Sequence, residues 1–237
     1  MPLPDGATLT WFGHATFLLE TPGGKRVLFD PWFDNPKCPD DLKDPGDVDV
    51  VLLSHGHADH IGSAVPICKQ KLPAAVVAIN ELANYLAGKG VDGTVGMNKG
   101  GTIEVEGLKV TLVNAEHSSS FVEDDGVPIY LGDPCGLVVE LEDGYRIYFA
   151  GDTAVFGDMA LIGELYRPDL AILPIGDHYT MGPDAAARST ALLGVRQVVP
   201  MHYGTFPLLT GTPDRLKYLV EPNGVDVLVL QPGETAS

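Results

Sequence analysis

Three histidines and one aspartate fall within six positions of the stretch "LLSHGHADHIGS", residues 52–63. His55, His57, Asp59 and His60 directly follow the apolar run "VDVVLLS". Neutral imidazole and carboxylate groups are the ligands that zinc and similar divalent ions prefer. Because imidazoles crowded at the end of a buried strand have no obvious packing role, this cluster predicts a metal site.

Three more candidate ligands follow later apolar runs. His117 comes after "KVTLVNAE", Asp152 after "YRIYFAG" and His202 after "QVVPM". Strand ends at one edge of a sheet face the same rim, so residues distant in sequence can converge there. The candidates are then five histidines and two aspartates: His55, His57, Asp59, His60, His117, Asp152 and His202. This set is too large for one tetrahedral ion and suits two ions that share a carboxylate.

The predicted chemistry is hydrolysis. Two divalent ions about 3.5–4 Å apart lower the pKa of a bridging water toward about 7, which provides a bridging hydroxide at neutral pH. We predict attack on an electrophilic carbonyl or phosphoryl centre, with Asp59 also acting as a catalytic proton acceptor. Zinc is the first expectation for both ions, and the ligand set also accepts manganese, iron or nickel.

Two histidines lie outside this set. His178 follows the run "LAILPIG" and is expected at the same rim, where it could stabilise an oxyanion or protonate a leaving group. We predict it as catalytic. His14 lies between two predicted strands, and we predict that it contacts substrate or supports a metal ligand.

Three further residues are predicted to bind substrate. Tyr179 and Thr180 follow His178, although Thr180 could instead cap a helix that begins near Pro183. Phe121 lies in residues 118–134, a segment without periodicity that we predict as a loop able to close over the site.

The elements that must position these residues are mostly strands in the first part and alternate strands and helices later. "VDVVLLS" and "AAVVAI" are continuous apolar runs, typical of strands buried on both faces. Helices are predicted over 60–72, over 157–166 and from near Pro183, and a final strand over "DVLVLQP". This order predicts an α/β fold in one domain over 1–237, with two sheets packed together and helices on the outer faces.

Composition limits the function classes. A formal net charge of −17, without a basic strip, disfavours nucleic acid as a partner and leaves a small-molecule substrate. No apolar run approaches the length of a membrane span. The N-terminus has no signal-peptide pattern, so we expect a cytoplasmic protein. The three scattered cysteines fit structural thiols in a reducing compartment. Assembly into a homo-oligomer is left open.

The motif "SHGHADH" resembles the His-x-His-x-Asp-His signature of the metallo-β-lactamase superfamily, and His117, Asp152 in "GDT" and His202 follow in the order usual for that family. The resemblance implies an αββα four-layer sandwich of two mixed β-sheets with helices outside. It also implies a division of ligands. One ion would be bound by His55, His57 and His117, the other by Asp59, His60 and His202, and Asp152 would bridge them.

The flanking stretches "WFGHATFLLE" and "PIGDHYTMGPDAA" narrow the resemblance. They are similar to small cytoplasmic metal-dependent hydrolases related to L-ascorbate-6-phosphate lactonase. A phospholipase D type that cleaves N-acyl phosphatidylethanolamine has a similar "GHAT" start. The expected substrate is therefore a small ester or lactone, with or without a phosphate group. A small or lipid phosphodiester is the alternative, and a β-lactam is disfavoured because no export signal is visible.

Two other classes remain open at this point. Related folds house di-iron oxygen reductases and iron persulfide dioxygenases, but the oxygen reductases resemble the motif with Glu at the position of His57, which disfavours iron redox chemistry. A metal-binding protein without catalysis would need a site closed to water.

Overall fold

The computed structural model describes residues 3–237, so the first two residues of the predicted domain lie outside the described residues. Two seven-stranded sheets pack face to face and carry helices on their outer faces. This arrangement confirms the αββα sandwich expected from the sequence.

The first sheet contains β1 (Thr8–Trp11), β2 (Phe17–Glu20), β3 (Arg26–Phe29), β4 (Val50–Leu52), β5 (Ala75–Ile79), β6 (Thr94–Met97) and β16 (Thr235–Ala236). The second contains β7 (Thr102–Val105), β8 (Leu108–Asn114), β11 (Cys135–Glu140), β12 (Arg146–Phe149), β13 (Leu170–Pro174), β14 (Gln197–Met201) and β15 (Asp226–Val227). A separate hairpin pairs β9 (Ser120–Val122) with β10 (Pro128–Tyr130). The helices are α1 (Ala58–Ile61), α2 (Ala64–Lys71), α3 (Asn80–Gly88), α4 (Met159–Tyr166), α5 (Pro183–Leu193) and α6 (Pro213–Val220).

Each sheet is antiparallel on one side and parallel on the other. The orders are β16-β1-β2-β3-β4-β5-β6 and β15-β14-β13-β12-β11-β8-β7. The parallel parts run from β3 to β6 and from β12 to β15. Helices provide most of the crossovers that parallel neighbours require, which explains the alternating pattern of the sequence.

The main apolar core lies between the sheets. Phe29 of β3 and Phe149 of β12 meet there with ring centroids 4.9 Å apart, and Phe17 of β2 lies 6.3 Å from Phe149. A second core lies between the second sheet and α4, α5 and α6, and it includes Leu173 and Leu216. Both sheets therefore pack on extensive apolar cores.

Strand direction places the site at one edge. In the second sheet β11 is antiparallel to both β8 and β12, so β8 points the same way as β12, β13 and β14. The loops that follow these strands therefore start at the same edge of the sheet. Cys135 N donates to Ser54 O (3.0 Å), which brings this edge beside the end of β4 in the first sheet.

Three local predictions were wrong. Residues 118–134 contain the hairpin β9–β10, whose strands of three residues are too short and too exposed to give a clear period. The helix over 60–72 is two helices, because Ser63 donates its N–H to Pro31 O and its hydroxyl accepts from Phe33 N, which breaks the helix there. Of "DVLVLQP" only Asp226–Val227 pairs as a strand.

Across residues 3–237 no helix combines the length and apolar character needed to traverse a membrane.

Candidate metal centre

Asp152 lies at the centre of a group of imidazoles. Its Oδ2 atom is 3.1 Å from His202 Nε2, 3.3 Å from His60 Nε2 and 3.5 Å from His117 Nε2. Three different strand ends, those of β8, β12 and β14, and the short helix α1 supply these side chains. The fold therefore brings together residues that are up to 142 positions apart, from His60 to His202.

Hydrogen bonds between loops hold this arrangement. The hydroxyl of Thr153 accepts from Glu116 N (3.0 Å), and Ala154 N donates to Glu116 O (3.0 Å). These bonds join the loop after β12 to the loop after β8. Met181 N donates to Thr153 O (3.0 Å), which adds the loop after β13 to the same edge.

Three groups of potential ligand atoms lie close together, and one of them, Asp30 with His55 and His60, shares its histidines with the other two. The ligand atoms of His55, His57 and His117 lie within 4.8 Å of one another. A second cluster with the same spread contains His14, Asp59, His60 and His202. Apart from His14, this division is the one that the family resemblance implies, and the assignment of ions to the clusters stays a prediction.

Asp30 and Ser54 fix the protons of two rings. Asp30 accepts from Ser54 N (2.8 Å) and from the Ser54 hydroxyl (2.5 Å), and its Oδ2 lies 2.8 Å from His60 Nδ1. Since the Ser54 hydroxyl already donates its hydrogen bond to Asp30, its oxygen accepts a hydrogen bond from His55 Nδ1 (3.0 Å). Both rings then carry a proton on Nδ1, and in the neutral rings the Nε2 lone pairs face the centre.

The residues fit a divalent cation. His60 Nε2, both nitrogens of His202 and Asp152 Oδ1 are buried and have no hydrogen-bond partner among the described residues. Buried polar atoms are rarely left unpaired, and lone pairs that face one another repel. A cation between the rings and the carboxylate would satisfy these atoms, and the nitrogen and oxygen donors are those that zinc or manganese accepts.

The electrostatics agree with this fit. Burial lowers the pKa of His55 well below its usual value and also lowers the pKa of His57 and of His117, so these rings are neutral. Burial acts in the same direction on His60, but the charges of Asp152 and Asp30 outweigh it and raise the pKa of that ring well above its usual value. The centre therefore stabilises positive charge, which a metal ion would supply.

His14 lies behind Asp59 and is fully buried. Its Nε2 is 3.1 Å from Asp59 Oδ2, and its Nδ1 is 2.9 Å from the Thr205 hydroxyl. Burial and the nearby His202 lower the pKa of His14 to about 4. The ring is thus neutral, donating from Nε2 to the carboxylate and accepting from Thr205. A direct contact with substrate, one of its two predicted roles, would have to bypass Asp59.

A cavity of about 710 Å³ opens onto the centre. It is lined by His57, Asp59, His117, Ser118, Asp152, Tyr179, His202, Phe206, Pro207 and Leu208. Its charged lining consists of candidate metal ligands, and no lysine or arginine of the described residues contributes to it. The site is open to solvent, unlike a closed structural metal site.

Of the four remaining predicted site residues, only one lines the cavity. Tyr179 lines the cavity. His178 is exposed beside the Tyr179 ring and is not part of the lining. The Thr180 hydroxyl donates to Met181 O (3.3 Å), outside the lining, and Gly182 rather than Thr180 is the N-cap of α5. Phe121 packs on Tyr85 with ring centroids 6.0 Å apart. The roles predicted for these residues stay predictions.

Sequence reasoning missed several residues of the site. Asp30 follows β3 just as Asp152 follows β12, so the same strand-end pattern could have found it. Ser54, Ser118 and the segment 206–208 had no signal. Ser54 is placed by hydrogen bonds to Asp30, 24 positions away, and Ser118 and 206–208 reach the cavity only through the folding of distant loops to one edge.

Comparison with known proteins identifies the family. The family model described as "Beta-lactamase superfamily domain" matches residues 25–203. A metal-dependent hydrolase of Rubrobacter xylanophilus is 52% identical over 232 residues, which are 97% of this chain and 96% of that protein. One from Herpetosiphon aurantiacus is 48% identical over 233 residues, 96% of each chain. The structure of Igni18, a metallo hydrolase of Ignicoccus hospitalis, is 38% identical with a TM-score of 0.86 over 97% of both chains. The chain therefore belongs to the beta-lactamase superfamily, among its metal-dependent hydrolases.

Proposed function

We propose that the protein hydrolyses a small ester or lactone with water activated at a pair of divalent metal ions. The observation that carries this proposal is the convergence of His60, His117 and His202 on Asp152, beside an open cavity that Asp152, His117 and His202 line. When bound, such ions lower the pKa of a shared water and polarise the carbonyl of the substrate. We propose zinc first, and manganese, iron or nickel as alternatives.

The side chains of the chain have separate tasks. The ligand clusters hold the ions and fix where the reacting carbonyl lies. Asp59 reaches the cavity with 29% of its side chain exposed. Burial would raise its pKa, but the hydrogen bond from His14 and the charge of His60 hold the pKa below its usual range. Asp59 is therefore ionised, and we propose from its place in the cavity lining that it accepts a proton during attack by water.

The charge of the cavity favours carboxylic esters over phosphate esters. Proteins commonly recognise phosphate groups with arginine or lysine, and neither lines this cavity among the described residues. The net charge of −17 also repels anions. Phosphorylated lactones and phosphodiesters, both left open by the sequence, are for this reason second to an uncharged ester or lactone.

The exposed His178 would have to turn toward the cavity to stabilise an oxyanion or protonate a leaving group. A His178→Ala variant tests this role. If His178 is catalytic, the substitution lowers kcat and removes one limb of the pH profile of kcat. If His178 is only a loop residue, the substitution leaves both unchanged.

The main test combines metal analysis with a substrate panel. Protein purified without added metal should contain about two metal equivalents per chain and hydrolyse lactones or carboxylic esters faster than bis-p-nitrophenyl phosphate. Chelation should abolish hydrolysis, and metal should restore it. The variant His57→Ala/Asp59→Ala should be inactive, while the control Asp92→Asn, at an exposed position, keeps its metal and its activity.

Full activity of the double variant would contradict the proposal. Faster cleavage of bis-p-nitrophenyl phosphate would favour a phosphodiesterase. Iron absorbance together with oxygen consumption in protein purified without air would favour the iron-dependent redox alternative.

A further inference from the structure

One wall of the cavity is apolar. Phe206, Pro207 and Leu208 follow His202 closely in the chain and share the cavity with it. Tyr179, from the loop after β13, also lines the cavity. Leu208 and Tyr179 are large apolar or aromatic residues that remain 50% and 52% exposed. We call Tyr179, Phe206, Pro207 and Leu208 the apolar wall.

Aromatic rings and hydrogen bonds fix the part of the apolar wall that follows His202. The Phe206 ring lies 5.6 Å from the His14 ring and 5.9 Å from the Trp32 ring. Leu209 N donates to Phe206 O (3.0 Å), which closes a turn around the exposed residues. The neighbouring Thr205 is bound to His14. A preformed apolar surface binds a ligand at lower entropic cost than a mobile one.

The position of the apolar wall determines which part of a bound substrate lies against it. A ligand that places a hydrolysable carbonyl between the metal ligands extends its remaining atoms along the cavity. There it meets the apolar wall, and no lysine or arginine of the described residues lines the cavity to pair with an anionic substituent. Burying a charged substituent against this wall would be costly, whereas burying an apolar one is favourable.

We propose that the natural substrate carries an uncharged apolar group, alkyl or aryl, which lies on the apolar wall next to the reacting carbonyl. This inference rests on the proposed ester or lactone hydrolysis. In that reaction water adds to the carbonyl carbon and the carbon–oxygen bond of the ester breaks. The acyl part leaves as a carboxylate, the alkoxy oxygen takes a proton, and the remaining proton goes to solvent.

Hydroxamates test the wall separately from hydrolysis. A hydroxamate head binds divalent metals through its two oxygens, and its tail can be varied. The metal-loaded protein should bind octanohydroxamate at least about tenfold more tightly than acetohydroxamate in calorimetry. Leu208→Ala should reduce this ratio about threefold or more. The control Leu165→Ala, 68% exposed on α4 and outside the lining, should leave the ratio unchanged.

Introducing a positive charge into the apolar wall gives a second test. Leu208→Lys should weaken the preference for octanohydroxamate and strengthen binding of the monohydroxamate of succinic acid, whose tail ends in a carboxylate. Equal binding of the octano- and acetohydroxamates, no binding of either, or tighter binding of the succinic compound to the unchanged protein would overturn the inference.

The two proposals fail in different ways. If tail length governs binding but no p-nitrophenyl ester or lactone is hydrolysed, the apolar wall stands and the proposed function fails. If esters are hydrolysed with a kcat/KM that does not rise from the acetate to the hexanoate, the wall is overturned and the proposed function stands.

Discussion

At the scale of single residues, His14 connects the cavity wall to a candidate metal ligand. It accepts a hydrogen bond from Thr205, which precedes the apolar wall, and donates one to Asp59. Its backbone adopts a left-handed conformation with φ of 54°, and its carbonyl accepts from His202 N (2.9 Å). Groups that orient a metal ligand in this way tune its affinity for the ion.

The first prediction concerns this orientation. His14→Ala removes the donor to Asp59, so we expect metal affinity at the cluster of Asp59, His60 and His202 to fall about 10–100-fold. The cluster of His55, His57 and His117 should be less affected. Competition titration with a chromophoric chelator measures both affinities. His14→Gln offers an amide donor and serves as the conservative control. Unchanged affinity at both clusters in His14→Ala would show that the contact has no such role.

The second prediction concerns the cysteines. Burial raises the pKa of Cys38 to about 11 and of Cys68 to about 12, and it also raises the pKa of Cys135. All three are free and buried. Because the thiolate is the reactive form, iodoacetamide near neutral pH should label none of them in the folded protein and all of them in denaturant. Mass spectrometry measures the labelling, and rapid reaction of a thiol in the folded state would contradict a purely structural role.

At the scale of elements, the turn after β12 decides where Asp152 lies. Gly151 adopts φ of +59°, and an added Cβ would lie 2.5 Å from the Cβ of Ser54. Ser54 in turn orients His55 and is held by Asp30. The β12 turn therefore packs tightly against the residues that support the candidate metal ligands.

The third prediction uses two glycines to separate strain from packing. Gly144 has φ of +89° with open space around it, so Gly144→Ala should cost about 1 kcal/mol of unfolding free energy from backbone strain alone. Gly151→Ala adds the clash with Ser54 and should cost about 3 kcal/mol or more and weaken metal binding. Urea denaturation of the metal-free variants gives both values. Equal losses would indicate that the turn can move without disturbing the site.

At the scale of the whole molecule, charge selects which ligands approach the cavity. The chain has 15 basic and 32 acidic residues. Such a field slows the association of anions, and salt screens it. The apolar wall and the net charge thus both support the proposed uncharged substrates.

The fourth prediction follows from this field. As NaCl rises from ~10 mM to ~500 mM, kcat/KM for the anionic p-nitrophenyl succinate monoester should increase several-fold, while that for p-nitrophenyl butyrate stays nearly constant. Initial rates at low substrate concentration measure both. A decrease for the anionic ester would point to a cationic binding surface and would weaken the preference for uncharged substrates.

Two packed sheets with outer helices, and the convergence of the candidate ligands at one rim, followed from local features of the sequence, whereas the αββα assignment and the division of the ligands into two sets came from the family resemblance. Apolar β-branched runs such as "VDVVLLS" form strands because their side chains suit burial on both faces. His55, His57 and His60 are neighbours in the chain, so their shared site needs only a short turn. His117, Asp152 and His202 could be added because each ends a strand of recognisable pattern.

Tertiary structure alone decided the rest. His14 and Thr205 are 191 positions apart, and Asp30 and His60 are 30 apart, so no local pattern relates them. The apolar wall likewise depends on distant contacts, since Phe206 packs beside His14 and Trp32. Local sequence determines which side chains can bind a metal, because ligand chemistry belongs to the residue. The surroundings of that metal depend on which loops the packed sheets bring to the same edge.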